Sequence, residues 1–355
     1  MNALPNLWRS CRTLTIAFAA LICTACGQDA PVDSAKVAED MAVGSVIVYS
    51  TLDDSIIKRV LDTYTAETDA NVYVVTGEFQ ELLDKVHKAG PDPVADLFVA
   101  DNAAELWSAS EQDVFRPTRS DIIDNRVPGQ LRDPEHLWTS LAVRVRTVVY
   151  NTELLSVTEI ESVTDYGSLT ADSWHERLCL SSSGVPGNAS LIAMLINDNG
   201  VRETETIVRG WRANLALPVF DNDARLLQAI ATGQCAIGIA DSSEVAGFLQ
   251  ANANADVAPH WFAEAGVLHI NASGAGVTRH AQNPDGAVAL LEWLTDESAN
   301  GLFAALRLEF PANTGVTADA AISAWAGFAS NPANLASLGY SQEEAILLAE
   351  RARYP

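Results

Sequence analysis

The sequence predicts an α/β fold of two domains, each built on a doubly wound sheet, and three observations predict it. At 355 residues the chain exceeds what one hydrophobic core usually supports. Short β-branched runs alternate with amphipathic stretches of helical period, the pattern of parallel strands joined by crossover helices. The same strand–turn–helix unit then recurs after the long run from Val143 to Tyr150, so a second unit of the same kind is expected.

At the N-terminus Arg9 and Arg12 precede an apolar run, Leu14 to Ile22, which gives way to small residues and Cys26. A basic start, a short apolar core and a small-residue exit describe a secretory signal over residues 1–25. The run is shorter than the ~20 residues that span a bilayer. Cys23-Thr24-Ala25-Cys26 resembles a bacterial lipoprotein cleavage box in which Cys26 takes the lipid, although Cys23 stands where Leu is usual. An ordinary signal peptide with an incidental cysteine is the alternative. Both readings export the chain to the periplasm or cell envelope, with an inner-membrane anchor only if Cys26 is acylated. Residues 26–43, polar from Gln28 to Asp40, read as a tether.

Ser45 to Tyr49 makes a strand, and Ser50, Thr51, Asp53 and Asp54 offer caps for a helix carrying Ile56, Ile57, Val60, Leu61 and Tyr64 at helical spacing. Asn71 to Val75 is strand-like, Phe79 to Lys88 an amphipathic helix, and Leu97 to Ala100 a buried strand that runs into Asp101-Asn102 and a helix from Ala103. In the second series Leu178 to Leu180 leads through Ser181-Ser182-Ser183-Gly184 to a helix from about Ala189. Ala236 to Ala240 leads through Asp241-Ser242-Ser243-Glu244 to another helix. The Gly-rich stretch Ser273 to Val277 precedes a helix around Ala287 to Leu294, and an alanine-rich helical region closes the chain. Ligands of such sheets bind beyond the carboxyl ends of strands, where Asp53, Asp54, Asp101 and Asn102 fall.

A net charge of −24 argues against nucleic acid, whose phosphates need clustered Lys and Arg. It suits attraction of a cation, or simply a soluble exported surface. With the signal removed and Cys26 lipidated, Cys179 and Cys235 remain, and an even pair in an oxidising compartment reads as one disulfide; two buried thiols are the alternative. The chain lacks a phosphate-binding Gly-Lys-Ser/Thr loop and a His-Glu-x-x-His motif. Ser273 lacks the glycines of a nucleophile elbow, and Gly274-Ala-Gly276 lacks the third glycine of a dinucleotide fingerprint. An enzyme is not expected.

Several stretches together resemble the periplasmic ferric-ion-binding group of solute-binding proteins of ABC importers, in the transferrin-like class. They run from Val46 to about Val316: Pro93-Val94-Ala95-Asp96-Leu97, Arg144-Val145-Arg146 leading into Val148-Val149-Tyr150-Asn151-Thr152, Trp174-His175-Glu176-Arg177-Leu178-Cys179, Asn222-Asp223, Gly233-Gln234-Cys235, His269 to Val277, and Glu309-Phe310-Pro311-Ala312-Asn313. The resemblance implies a two-domain clamshell of the type II periplasmic-binding-protein kind, with parallel-rich sheets joined by two crossover strands. The crossings would lie near Arg144 to Asn151 and Leu268 to Gly276. Domain one would comprise 44–148 and 268–355, and domain two 149–267. It also implies an ABC permease and ATPase as partners, and it places Cys179 and Cys235 where relatives carry a cysteine pair.

The ligand set departs from the family, whose members hold iron with clustered tyrosines. Asp53 and Asp54 stand where relatives have a histidine or tyrosine, Ser243 and Glu244 where they have paired tyrosines, and Gly187 where some have another. One reading is therefore a carboxylate site of Asp53, Asp101, Asp241 and Glu244 for iron or another hard cation, with a synergistic anion completing the shell. The alternative is that these acids are helix caps. A second reading is an anion site: free amides at Ser182, Ser183 and Gly184, a clamp from Arg144 or Arg146, and Asn222 and Ser243 in the same set. Here the alternative is capping serines and a structural ion pair. If only the anion machinery operates, the ligand would be a small organic anion or zwitterion, a phosphonate or carboxylate, without metal. His269 and Asn271 either reach the cleft or are held by hydrogen bonds at the hinge, and Trp138 either floors the cleft or packs in the core.

Overall fold

The computed structural model describes residues 44–89, 95–262, 267–328 and 335–355. The signal, the tether, Cys26, Pro93 and Val94 lie outside them. Nine strands are described: β1 Val46–Ser50, β2 Val72–Thr76, β3 Leu97–Ala100, β4 Thr139–Asn151, β5 Leu178–Cys179, β6 Ile237–Asp241, β7 Val257–His260, β8 His269–Val277 and β9 Phe310–Pro311. The helices are α1 Asp54–Thr68, α2 Phe79–Ala89, α3 Ala103–Glu111, α4 Asp121–Arg126, α5 Val157–Glu161, α6 Pro186–Asn199 and α7 Val201–Ala213. They continue with α8 Asp223–Ala231, α9 Ser242–Ala251, α10 Pro284–Leu294, α11 Glu297–Arg307, α12 Leu335–Gly339 and α13 Gln342–Ala352.

All nine strands join one sheet, whose main path runs β2-β1-β3-β8-β4-β6-β5, with β7 and β9 also on β4. At one end β1 lies parallel to β2 and β3; at the other β5 lies parallel to β6. Between them β8 and β4 run antiparallel to each other and to their outer neighbours. The sheet is thus more mixed than strand–helix alternation predicts: the long strands that cross between the two ends have to run back against them. We call the β1–β3 end with α1–α3, α10 and α11 the first lobe, and the β5–β7 end with α6–α9 the second.

Local chemistry explains the elements that shape the space between lobes. Helix α1 buries Ile57, Val60, Leu61 and Tyr64 and starts at Asp53, whose carboxylate accepts the Ser55 amide at 2.8 Å. Strand β4 is buried on both faces from Thr139 to Val149, its apolar residues interrupted by the buried Arg144 and Arg146. Its partner β8 carries glycines where a side chain could not fit: a Cβ on Gly274 would lie 2.5 Å from the Thr139 carbonyl oxygen. One hydrophobic cluster is continuous through both lobes, from Tyr49 and Phe98 to Leu191 and Trp211, while smaller clusters sit in each. Cys179 and Cys235 form a disulfide that ties β5 to the segment entering β6.

The end of the chain departs from the expected division. Helix α12 touches α3 in the first lobe and α6 in the second, and α13 packs on α6 and α7. The last helix of the 268–355 stretch therefore belongs with the second lobe. Ala345, Leu348, Ala349 and Ala352 form its buried face, three of them small enough to bring the helix close to its neighbours.

Candidate functional site

The carboxyl ends of β1, β3 and β6 open on one cleft of about 720 Å³ between the lobes. From the first lobe come Thr51, Asp53, Asp101, Arg307 and Glu309; from the second Pro186, Gly187, Asp241, Ser243 and Glu244; Arg144 rises from β4 between them. Six sequence-predicted residues therefore meet: Asp53, Asp101, Arg144, Asp241, Ser243 and Glu244. No tyrosine, histidine or cysteine is among the described residues lining this cleft.

The floor is a ladder of alternating charge. Arg144 donates to the Asp101 carbonyl at 2.9 Å and to Glu309 at 3.1 Å, and its guanidinium lies 3.4 Å from the carboxylates of both Asp101 and Asp241. It thus links an acid of one lobe to an acid of the other. Arg307 donates to Asp101 and, at 2.9 Å, to Glu309. Arg146, fully buried, donates to Asp223 and to the Asn188 side-chain oxygen at 2.6 Å, and lies 3.4 Å from Asp241. Burial raises the carboxyl of Asp101, but Arg144 and Arg307 outweigh it and hold the group below the usual carboxylate range. For Asp241 burial wins over Arg146 and Arg144, and its pKa rises. Glu244 rises too, through burial and the nearby charges of Asp223 and Asp241. Among the described residues Glu244 is the cleft acid with no hydrogen-bond or ion-pair partner, while Asp53 is engaged by Ser55.

The two readings of the acids divide by residue. Asp53 does cap α1. Asp241 occupies the cap position of α9 but makes no capping hydrogen bond; its side chain faces the arginines. Asp101 is committed to arginine. Among the described residues no three His, Cys, Asp or Glu side chains gather as a metal-holding group.

The expected amide cradle is not assembled. Ser182 N–H donates to the Phe220 carbonyl, Ser183 N–H to the Pro355 backbone oxygen at 2.8 Å, and Gly184 N–H to the Ser182 hydroxyl at 3.2 Å. The helix beyond starts at Pro186, which has no N–H to offer. Neither these residues nor Asn222 line the cleft; Asn222 caps α8 by accepting the Arg225 amide. Gly187 does line it, with the site of a missing Cβ only 3.1 Å from an Asp241 oxygen. His269 and Asn271 are buried away from the cleft. The Asn271 side-chain oxygen accepts the Ala103 amide at 3.0 Å, whereas both ring nitrogens of His269 lack partners, contrary to a hydrogen-bonded hinge histidine. Trp138 is a core residue. Arg307, Glu309 and Asp223 escaped sequence reasoning as site residues: Arg307 ends a helix and Asp223 begins one, positions that dipole preference alone explains.

Known proteins share this architecture. A family described as bacterial extracellular solute-binding protein matches residues 59–330. The Synechocystis Iron uptake protein A1 is 29% identical over 338 residues, 92% of this chain and 91% of its own. Iron uptake protein A2 of the same organism is 28% identical over 82% of this chain and 89% of its own. Among solved structures, the Trichodesmium IdiA (FutA) in complex with iron and citrate ligands superimposes with a TM-score of 0.83 at 28% identity, covering 88% of this chain and 100% of that one. The Bordetella ferric binding protein gives 0.81 at 28% identity, covering 87% and 99%.

Proposed function

Because this chain belongs to the bacterial extracellular solute-binding protein family, we propose that it is the solute-binding component of an ABC importer of the iron-uptake type. Its cargo is ferric iron accompanied by a small oxygen-rich anion, delivered in the periplasm to a cognate permease and ATPase. The observation that carries this reading is the convergence of carboxylates from both lobes on one cleft, in a fold shared with iron-uptake proteins. Glu244, without a partner of its own, and Asp53 are the acids best placed to meet a hard cation. Two carboxylates do not fill the shell of such an ion, so the anion supplies the remaining oxygens. A metal-free anion is the weaker reading, since Arg144 and Arg307 already answer Asp101 and Glu309, and the serine-loop amides are taken. Acylation of Cys26 would hold the protein at the membrane; intact mass of the exported protein tests that.

Native mass spectrometry with elemental analysis of the purified protein separates the cargoes. The expected species carries iron and an anion together. Titration should then show binding of ferric citrate and none of sodium citrate; equal binding of the two would reject the metal reading. Glu244→Ala should lower ferric citrate affinity about tenfold, the worth of one charged oxygen ligand against a cation.

A further inference from the structure

The chain returns after α12 to pack α13 on the second lobe, and the residues beyond α13 are built into the site's supporting wall. Arg209 donates to the Arg351 carbonyl at 2.7 Å. Tyr354 is buried, with 3% of its surface exposed, and its hydroxyl donates to the Ser181 carbonyl at 2.5 Å. The next residue, Pro355, accepts the Ser183 amide. The Ser181 hydroxyl in turn donates to Asp223 at 2.5 Å, and the other oxygen of Asp223 accepts the Asp241 amide at 2.9 Å while binding Arg146. Asn188 closes the ring, donating to the Ser181 and Ser182 carbonyls and accepting from Arg146. Hydrogen bonds therefore lead from the Tyr354 hydroxyl through Ser181 and Asp223 to the backbone amide of Asp241, the residue whose carboxylate lines the cleft.

We propose that Tyr354 is a positioning residue for the ligand cleft: its hydroxyl fixes the Ser181–Gly184 loop, and the loop, through Asp223, aims Asp241 and Arg146. The alternative role is that the ring simply fills space between α13 and the second lobe. The two differ in what the hydroxyl does. A filler needs only the ring, whereas a positioning residue needs the O–H, because without it the Ser181 carbonyl keeps Asn188 as its single remaining donor and the loop gains freedom. What the cleft binds rests on the reading above; how it is held does not.

The test compares Tyr354→Phe, which keeps the ring, with Leu290→Ala, which cuts a buried side chain in the first lobe remote from this network. Two readouts are taken: ferric citrate affinity, and amide exchange at Ser183 and Asp241. Tyr354→Phe should speed exchange at both amides about tenfold and weaken ferric citrate about fivefold, the cost of one hydrogen bond. Leu290→Ala should lower the melting temperature further yet leave affinity and both amides within about twofold. Unchanged exchange at Ser183 and Asp241 in Tyr354→Phe overturns the proposal, as does an affinity loss that tracks melting temperature in both variants. Failure of the wild-type protein to bind ferric citrate would reject the proposed cargo alone, because the exchange arm decides the role of Tyr354 without any ligand.

Discussion

His269 sits opposite Arg146 on the paired crossing strands, fully buried, with neither ring nitrogen bonded. Burial, helped by the charges of Arg146 and Arg144, pushes its pKa down to about 3, so the ring stays neutral in the folded chain. In the unfolded chain it titrates near 6.5. Below that pH the unfolded state binds a proton that the folded state refuses, and stability is lost as pH falls toward the folded value. Between pH 7 and pH 5 this one residue should remove about 2 kcal/mol, a figure set by the unfolded pKa as long as the folded one stays well below 5. His269→Leu discards two unsatisfied atoms without opening a large cavity. Its urea midpoint should match the wild type or exceed it near pH 7 and fall less steeply toward pH 5; parallel pH profiles would contradict this. At this scale the acids after strands β1, β3 and β6 were legible, because strand ends announce themselves in the apolar pattern. Arg307 was not, since it meets Asp101 across 206 residues of chain and nothing local marks it.

Elements show the same contrast. Leu97 to Ala100 and the helix beginning at Phe79 stand where periodicity puts them, because each buries a face that its own residues define. The direction of β4 and β8 relative to their neighbours was not legible, for residues buried on both faces of a strand are equally compatible with parallel and antiparallel pairing. Nor was the docking of α13, whose alanine-rich face fits either lobe and whose choice depends on α6 and α7. The disulfide was anticipated by counting and by resemblance, and it has a definite energetic meaning. It closes a segment of 56 residues between β5 and the entry to β6. Constraining that loop in the unfolded state is worth about 4 kcal/mol on chain-entropy grounds. The double variant Cys179→Ala/Cys235→Ala should lose roughly that much in urea unfolding while its ligand affinity stays within about threefold, since neither cysteine lines the cleft. A large affinity loss at small stability cost would mean that β6, which ends in Asp241, is set by the bridge and not by its pairing with β4.

Strands β4 and β8, the Arg144 ladder and the C-terminal segment through α12 all join the lobes, and ligand contacts from each side would favour a form closed about β4 and β8. Scattering should record a smaller radius of gyration with ferric citrate than without; an identical envelope at saturation would leave the cleft without a closing role. The overall field adds a sharper discrimination. The chain carries a formal charge of −24, and such a field speeds the arrival of cations and slows that of anions, in both cases less as salt is added. If bare ferric ions were the cargo, association would slow steeply between about 10 mM and about 150 mM salt as screening removes the attraction. Iron that arrives already wrapped in carboxylate carries little or negative net charge and draws no help from the field. Its association rate should therefore hold steady or rise over the same salt range. Stopped-flow measurement with ferric citrate decides between the two, because the sign of the salt dependence reports the charge of the species that enters the cleft.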